Sequence, residues 1–209
     1  MLYLYLYIKR FFDVFLSLAA LLVLWPVFVI IAVSIKLDSS GPVLFRQKRV
    51  GKDKRHFYIL KYRTMRTDTP KDMPTHLLGD PDIFVTKSGA FLRSTSLDEL
   101  PQIFNILKGE MSIIGPRPAL WNQYDLIAER DKYSANDILP GLTGWAQING
   151  RDELPIDVKA RLDGEYVEKM GFAFDLKCFL GTIVSVIKKE GIAQGSSETN
   201  KTNKKEDNK

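Results

Sequence analysis

The stretch Thr95–Pro118, TSLDELPQIFNILKGEMSIIGPRP, carries the signals that determine how the centre of this chain folds. Its apolar residues after Pro101 recur with the spacing of one helix face, and a Lys-Gly pair gives the helix a plausible end. Proline is tolerated only in the first turn of a helix, so the helix is expected to begin near Ser96 to Asp98. Two adjacent carboxylates, Asp98 and Glu99, would then lie at a helix N-terminus, where free N–H groups favour anions.

Two interpretations of this acid pair are open. The residues Ser96-Leu97-Asp98-Glu99 match the S-x-x-E capping box, in which the acids only stabilise the start of a helix. The motif Gly115-Pro116-Arg117-Pro118 follows the helix, and its two prolines hold the arginine in an extended backbone. An arginine whose backbone is restricted by two prolines, close to two carboxylates, favours the interpretation of an active site that binds an anion.

The N-terminal part of the chain is strongly apolar. The run Val14–Ile35 has no charged residue and is long enough to cross a hydrocarbon core of about 30 Å. Trp25-Pro26 lies at its middle, and proline kinks or breaks a helix. Cationic residues flank both ends, Lys9-Arg10 before the run and Lys36 after it, which favours a cytoplasmic position for both. A re-entrant hairpin bent at Pro26 satisfies both signals, whereas the alternative is one spanning anchor.

Composition limits the classes that remain. The chain has 209 residues, a net charge of +5 and 45% hydrophobic residues, which suits one domain with or without an appendage. The single cysteine, Cys178, excludes an internal disulfide, and the two histidines lack zinc-ligand spacing with it. Basic balance admits membranes, phosphorylated substrates or nucleic acid, but the basic residues lack interleaved stacking aromatics, so no nucleic-acid partner is expected.

The remaining segments give a coarse order of elements. VLFRQKRVG and RHFYILKYRTM are predicted to form two strands joined by a turn, with Lys61 and Arg63 on one strand face. The loop Thr67–Asp82 is polar and is either a lid or a simple solvated loop. Phe172–Ile187 is too short and too charged for a span and is predicted as a core or interfacial helix. Gln194–Lys209 is predicted to be disordered.

Three long motifs in order, FYILKYRTM, SLDELPQIFNILKGEMSIIGPRP and PGLTGWAQINGR, resemble the bacterial sugar transferases. These are monotopic phosphoglycosyl transferases, and the resemblance runs from about Ile8 to about Lys189. It implies a mostly α fold with a few short strands (α+β), a re-entrant N-terminal helix hairpin and interfacial amphipathic helices. The expected division is a membrane-embedded segment 1–36, a cytoplasmic catalytic domain 37–192 and a polar tail 193–209.

The resemblance also implies an activity and a place in the cell. A sugar-1-phosphate passes from a UDP-sugar to polyprenyl phosphate, UMP leaves, and the enzyme works at the cytoplasmic face of a bacterial membrane. The first acid of the pair, Asp98, is the implied nucleophile, and the second, Glu99, is the implied Mg²⁺ ligand. The implied phosphate-binding cations are Arg93, Arg117, Lys61 and Arg63. The candidate contacts of the nucleotide sugar are Gln147 and Arg151.

Two other functions compete with this one. A membrane-anchored phosphohydrolase would use the same aspartyl intermediate with water as acceptor and would need no apolar path for a lipid. A non-enzymatic anchored adaptor would use its basic face for binding, and Asp98→Asn would leave it unaffected. The sequence has no motif for the sugar pocket, so the identity of the sugar stays open. The oligomeric state is open as well.

Overall fold

A computed structural model describes residues 2–70, 83–150 and 154–188 of the chain. It is mostly helical with short strands, which confirms the predicted α+β class. The helices are α1 (Leu2–Asp38), α2 (Lys87–Ser94), α3 (Gln102–Lys108), α4 (Tyr124–Asp131), α5 (Trp145–Ile148), α6 (Ile156–Lys169) and α7 (Phe172–Lys188). The strands are β1 (Leu44–Val50), β2 (His56–Tyr62), β3 (Ser112–Ile114) and β4 (Gly141–Thr143).

The four strands form two separate pairs. β1 and β2 are the two strands that the sequence predicts; they pair antiparallel, and Leu44 lies opposite Tyr62. β3 and β4 are parallel, with Ile114 opposite Thr143, a pairing that local sequence signals do not reveal. The backbones come so close beyond these strands that a Cβ on Gly144 would lie 2.1 Å from the Gly115 carbonyl oxygen. The second pair therefore depends on glycine at this crossing.

The N-terminal helix differs from the expected two halves. α1 is one continuous helix over Leu2–Asp38, with Pro26 inside it. Proline removes one hydrogen-bond donor, but its fixed φ is compatible with a helix, so the bonds on either side can continue through it. The predicted break at Pro26 is therefore absent from the backbone. Whether the helix returns to the same membrane face stays a prediction, as do the domain boundaries.

One face of α1 packs against the rest of the protein along most of its length. Asp13, Ser17, Ile31 and Ile35 are buried at helical spacing, whereas the opposite face exposes large apolar side chains such as Trp25. α1 is the one helix in the described ranges that is long and apolar enough to cross a membrane.

Both ends of α1 are attached to the same body. Lys9 forms an ion pair of 2.6 Å with Asp175 of α7, and Asp38 accepts hydrogen bonds from the backbone N–H and the hydroxyl of Ser88 at the start of α2. These contacts hold α1 against the rest of the protein near both of its ends.

Helix α7 covers the segment that was predicted as a core or interfacial helix. Cys178 and Ser185 face the interior, and the opposite side exposes four large side chains in its first half, Phe172, Leu176, Phe179 and Leu180. Its position in the membrane plane stays a prediction.

Candidate active site

The acid pair lies on its own short turn rather than inside the following helix. Leu97–Glu99 forms a single 3₁₀ turn, and α3 begins only at Gln102, with Pro101 as its N-cap. The predicted helix start near Ser96 to Asp98 is therefore wrong, because α3 begins four to six residues later. In a 3₁₀ turn of about three residues per turn, Asp98 and Glu99 point roughly 120° apart, so they can serve different partners.

The capping-box interpretation of these acids is wrong. Ser96 has a φ of 57°, in the left-handed region, and its side chain makes no capping hydrogen bond. Its backbone N–H donates to the carbonyl of Arg93, 3.2 Å away, rather than to the side chain of Glu99. The carboxylate of Glu99 instead accepts from two cations on distant segments.

Glu99 is the centre of this ionic cluster. Lys61 Nζ lies 2.7 Å from Glu99 Oε1, and Arg117 Nη2 lies 2.7 Å from the same oxygen. Arg117 Nη1 reaches Glu99 Oε2 at 3.4 Å, so the guanidinium approaches the carboxylate with two nitrogens. Residues from β2, the acid turn and the Gly-Pro-Arg-Pro motif therefore converge, although they are far apart in sequence.

Asp98 is held much more loosely. Its Oδ2 lies 4.0 Å from Lys61 Nζ, and it makes no hydrogen bond to any residue in the described ranges. Burial raises the pKa of Asp98, and the charge of Glu99 adds to this effect against the opposing cations. Burial also acts to raise the pKa of Glu99, but Arg117 and Lys61 together hold it below its usual range. The two acids thus differ in environment: one is tied to cations and the other is available.

Arg93 lies near the pair without binding it directly. It belongs to the last turn of α2, and its charge acts to lower the pKa of Asp98. Within the described residues it forms no ion pair with either acid. A cation near the site with no fixed carboxylate partner there is suited to a phosphate, so this predicted role stays open.

Arg63 is not brought to the acid pair. Its guanidinium donates to the backbone carbonyls of Ser39, at 2.8 Å, and Ser40, and its side chain is buried. These carbonyls directly follow α1, where the helix dipole favours a cation. The contacts correct the phosphate-binding role expected for Arg63, because its guanidinium is bound at the end of α1. Of the two cations that were predicted to share a strand face, Lys61 and Arg63, only Lys61 faces the acids.

The two candidates for nucleotide-sugar contacts have different outcomes. Gln147 on α5 is buried, and neither atom of its amide has a hydrogen-bond partner among the described residues. A Cβ on Gly144 would lie 3.0 Å from Gln147 Oε1 and 2.1 Å from the Gly115 oxygen, which places this amide beside the start of the Gly-Pro-Arg-Pro motif. Arg151 lies outside the described residues, as do residues 71–82 of the proposed lid.

With this geometry in view, comparison with known proteins gives the family. The sequence profile described as "Bacterial sugar transferase" matches residues 4–189, which is most of the chain. The chain belongs to the bacterial sugar transferase family. This confirms the resemblance carried by the three motifs and makes the protein a transferase.

The chain covers a small part of one relative and nearly the whole of two others. The chain is 40% identical over 182 residues to a UDP-glucose:undecaprenyl-phosphate glucose-1-phosphate transferase of Xanthomonas campestris pv. campestris, covering 84% of this chain but 38% of that protein. It is 36% identical to the uncharacterized sugar transferase EpsL of Bacillus subtilis strain 168, covering 92% of this chain and 93% of the relative. It is 40% identical to the exopolysaccharide production protein PSS of Rhizobium leguminosarum bv. phaseoli, covering 85% and 94%.

The donor atoms of this sugar transferase fit the expected Mg²⁺ only in part. Mg²⁺ takes one or two carboxylates and completes its shell with substrate phosphates and water, which matches Asp98 and Glu99. The described residues contain no cluster of three or more metal-ligating side chains. Because the oxygens of Glu99 already accept from Lys61 and Arg117, a metal at Glu99 requires these cations to turn towards the phosphates of the substrate. Magnesium therefore stays a prediction.

Sequence reasoning missed the residues that hold Arg117 in place. We call Gly115–Ala119 the arginine strap. Gly115 N–H donates to Thr143 O at 2.8 Å, and Gly141 N–H donates to Pro116 O at 2.9 Å. On the other side Val50 N–H donates to Ala119 O at 2.9 Å. The two glycines of the PGLTG motif were visible, but only the β3–β4 pairing explains why they are needed.

Proposed function

We propose that this sugar transferase moves a sugar-1-phosphate from a UDP-sugar to polyprenyl phosphate and releases UMP. The observation that carries the proposal is the asymmetry of the acid pair: Glu99 binds Lys61 and Arg117, whereas Asp98 is partly buried with no hydrogen bond in the described ranges. One carboxylate gathers cations for a polyanion, and the other is free to attack. The names of the Xanthomonas and other relatives support the substrate class.

In the first step an oxygen of the Asp98 carboxylate attacks the phosphorus that bears the sugar. The phosphorus–oxygen bond to UMP breaks, UMP leaves, and the sugar-phosphate remains on Asp98 as an acyl-phosphate. Lys61 and Arg117 neutralise charge on the diphosphate, and the planar fork of arginine can meet two of its oxygens. Glu99 holds these two cations in place before the substrate arrives, which limits the reorganisation needed at the moment of reaction.

In the second step a phosphate oxygen of the polyprenyl acceptor attacks the same phosphorus. The acyl-phosphate bond breaks, which restores the Asp98 carboxylate and gives a polyprenyl diphosphate sugar. Mg²⁺, when bound, would neutralise charge on the phosphate oxygens. No net proton transfer is required, so the site needs no separate general base.

The membrane segments explain how a lipid acceptor reaches this site. Leu97 and Leu100, on either side of the acids, pack against the cluster of Ile31, Ile35, Tyr62 and Leu92, which includes the membrane helix α1. The acid turn therefore packs against a cluster that includes residues of α1, and the other face of α1 exposes apolar side chains. We place the enzyme at the cytoplasmic face of a bacterial membrane, where the head of polyprenyl phosphate and a soluble sugar nucleotide can meet.

The test is UMP release from a panel of UDP-sugars in detergent or nanodiscs, with and without undecaprenyl phosphate. At least one UDP-sugar is expected to give continuous UMP release and a lipid-linked sugar only when the acceptor is present. Continuous release and free sugar-phosphate without acceptor would instead identify a phosphohydrolase. No release from any UDP-sugar, under conditions where the protein is folded, would refute the proposed function.

A further inference from the structure

We infer that Arg49, on β1, is a positioning residue for Arg117 and acts by anchoring the arginine strap. Arg49 Nη1 donates to the carbonyl of Pro118, 3.0 Å away, the residue directly after Arg117. The inference rests on the transferase function proposed above and deepens it, because it names a residue outside the ionic cluster on which that cluster depends.

The arginine strap has unusually few ways to hold itself in place. Pro116 and Pro118 have no N–H group, so neither can donate a backbone hydrogen bond. The strap is anchored mainly through its carbonyls, which accept from outside. Gly141 N–H donates to Pro116 O, Val50 N–H donates to Ala119 O, and Arg49 donates to Pro118 O. Of these three donors only Arg49 is a side chain, so it is the one that substitution can remove without disturbing the backbone.

The guanidinium of Arg49 is itself held before it meets the strap. Gln47 Oε1 accepts from Arg49 Nε at 3.1 Å and from Nη2 at 2.5 Å. The two residues alternate on β1 and so share one strand face, and Gln47 is buried. A guanidinium with one edge on Gln47 and its remaining nitrogen on Pro118 has little freedom. It therefore transmits the rigidity of the β1–β2 hairpin to the strap.

This anchor matters because the chemistry needs Arg117 in a narrow range of positions. Arg117 must reach Glu99 in the resting enzyme and the diphosphate in the reacting complex. A displacement of about 1 Å at a reacting centre can cost on the order of a hundredfold in rate. Loss of the Arg49 bond frees the Pro118 carbonyl and lets the strap move. The expected defect lies in kcat more than in KM, since ground-state binding has other cations to rely on.

A double-mutant cycle tests this coupling. In kcat/KM, Arg49→Gln is expected to lose about tenfold in the presence of Arg117 and less than about twofold in an Arg117→Lys background, since residues that act through one another are not additive. Arg46→Gln removes an exposed arginine of the same strand and serves as the matched control, with an expected change of less than about twofold. If the losses of Arg49→Gln and Arg117→Lys multiply, Arg49 acts independently and the inference is overturned.

A second readout does not depend on activity. Backbone hydrogen exchange measured on the peptide 112–123 is expected to rise in Arg49→Gln and to stay unchanged in Arg46→Gln. Unchanged exchange, or faster exchange with full turnover, would overturn the inference. If Arg49→Gln does not fold, Arg49→Lys is used, which keeps the charge but replaces the rigid three-nitrogen fork that bridges Gln47 and Pro118 with a single nitrogen. If the wild-type enzyme releases no UMP, the proposed function is refuted. The anchoring role of Arg49 is then tested by the hydrogen-exchange result alone.

Discussion

Replacement of Arg117 by lysine keeps the positive charge and removes the two-nitrogen contact with a carboxylate or phosphate. In the structure Arg117 reaches Glu99 through Nη2 at 2.7 Å and Nη1 at 3.4 Å, and an ammonium group can replace only one of these contacts. A hydrogen bond to a charged group contributes about 1.5–3 kcal/mol, so the loss of one such bond in the transition state predicts a fall in kcat/KM of about 10- to 150-fold.

The assay is the initial rate of UMP release at varied UDP-sugar and saturating undecaprenyl phosphate. Arg66→Lys is the matched control, since Arg66 makes two contacts with Asp68, at 2.6 Å and 3.1 Å, on an exposed part of the surface. Exposed ion pairs contribute little, so this control is expected to stay within about twofold of the wild type. Turnover by Arg117→Lys within that same range would refute the role of the guanidinium fork and leave Arg117 a structural residue.

The acid pair and helix α1 give four further predictions. Glu99→Gln is expected to lower activity in a way that added Mg²⁺ partly restores, which a Mg²⁺ titration of the rate measures; no response to Mg²⁺ would argue against a metal at this residue. Because burial raises the pKa of Asp98 and attack needs its ionised form, the rate is expected to fall as pH drops through a pKa above the usual range of aspartate. Lys61→Gln removes a charge that lowers this pKa, so the acid limb of the pH–rate profile is expected to move to higher pH. Cysteines at positions Tyr7 and Ser40, in a chain without the native cysteine, are both expected to resist an impermeant thiol reagent applied to whole cells; labelling of one alone would establish a spanning helix.

Local sequence signals were sufficient where short-range chemistry determines structure. The β1–β2 hairpin, the helix α7 and the end of α3 at Gly109 follow from alternation, a continuous apolar segment and a glycine with a φ of 84°. The motif that joins an acid pair to a proline-flanked arginine also predicted that these groups meet, and the structure brings Arg117 to Glu99.

Other features depend on contacts between distant segments, which local patterns do not report. The S-x-x-E pattern predicted a capping box, but the charges of Lys61 and Arg117 attract the Glu99 carboxylate away from the helix start. Arg63 shares its motif with Lys61, yet the open carbonyls after α1 bind it instead. Pro26 predicted a break in α1. The helix instead continues through Pro26, and one face of it packs against the rest of the protein.

The central claim is that Asp98 forms a covalent bond to the sugar-phosphate, and labelled UDP-sugar without acceptor tests it most directly. The wild-type enzyme is expected to release one burst of UMP and to carry the label on the peptide that contains Asp98. Asp98→Asn, which keeps the size of the side chain, is expected to bind the nucleotide sugar without burst or label, and steady-state kinetics with both substrates are expected to be ping-pong. Label on another residue, or rates that require both substrates to be bound together, would contradict the assignment of Asp98 as the nucleophile.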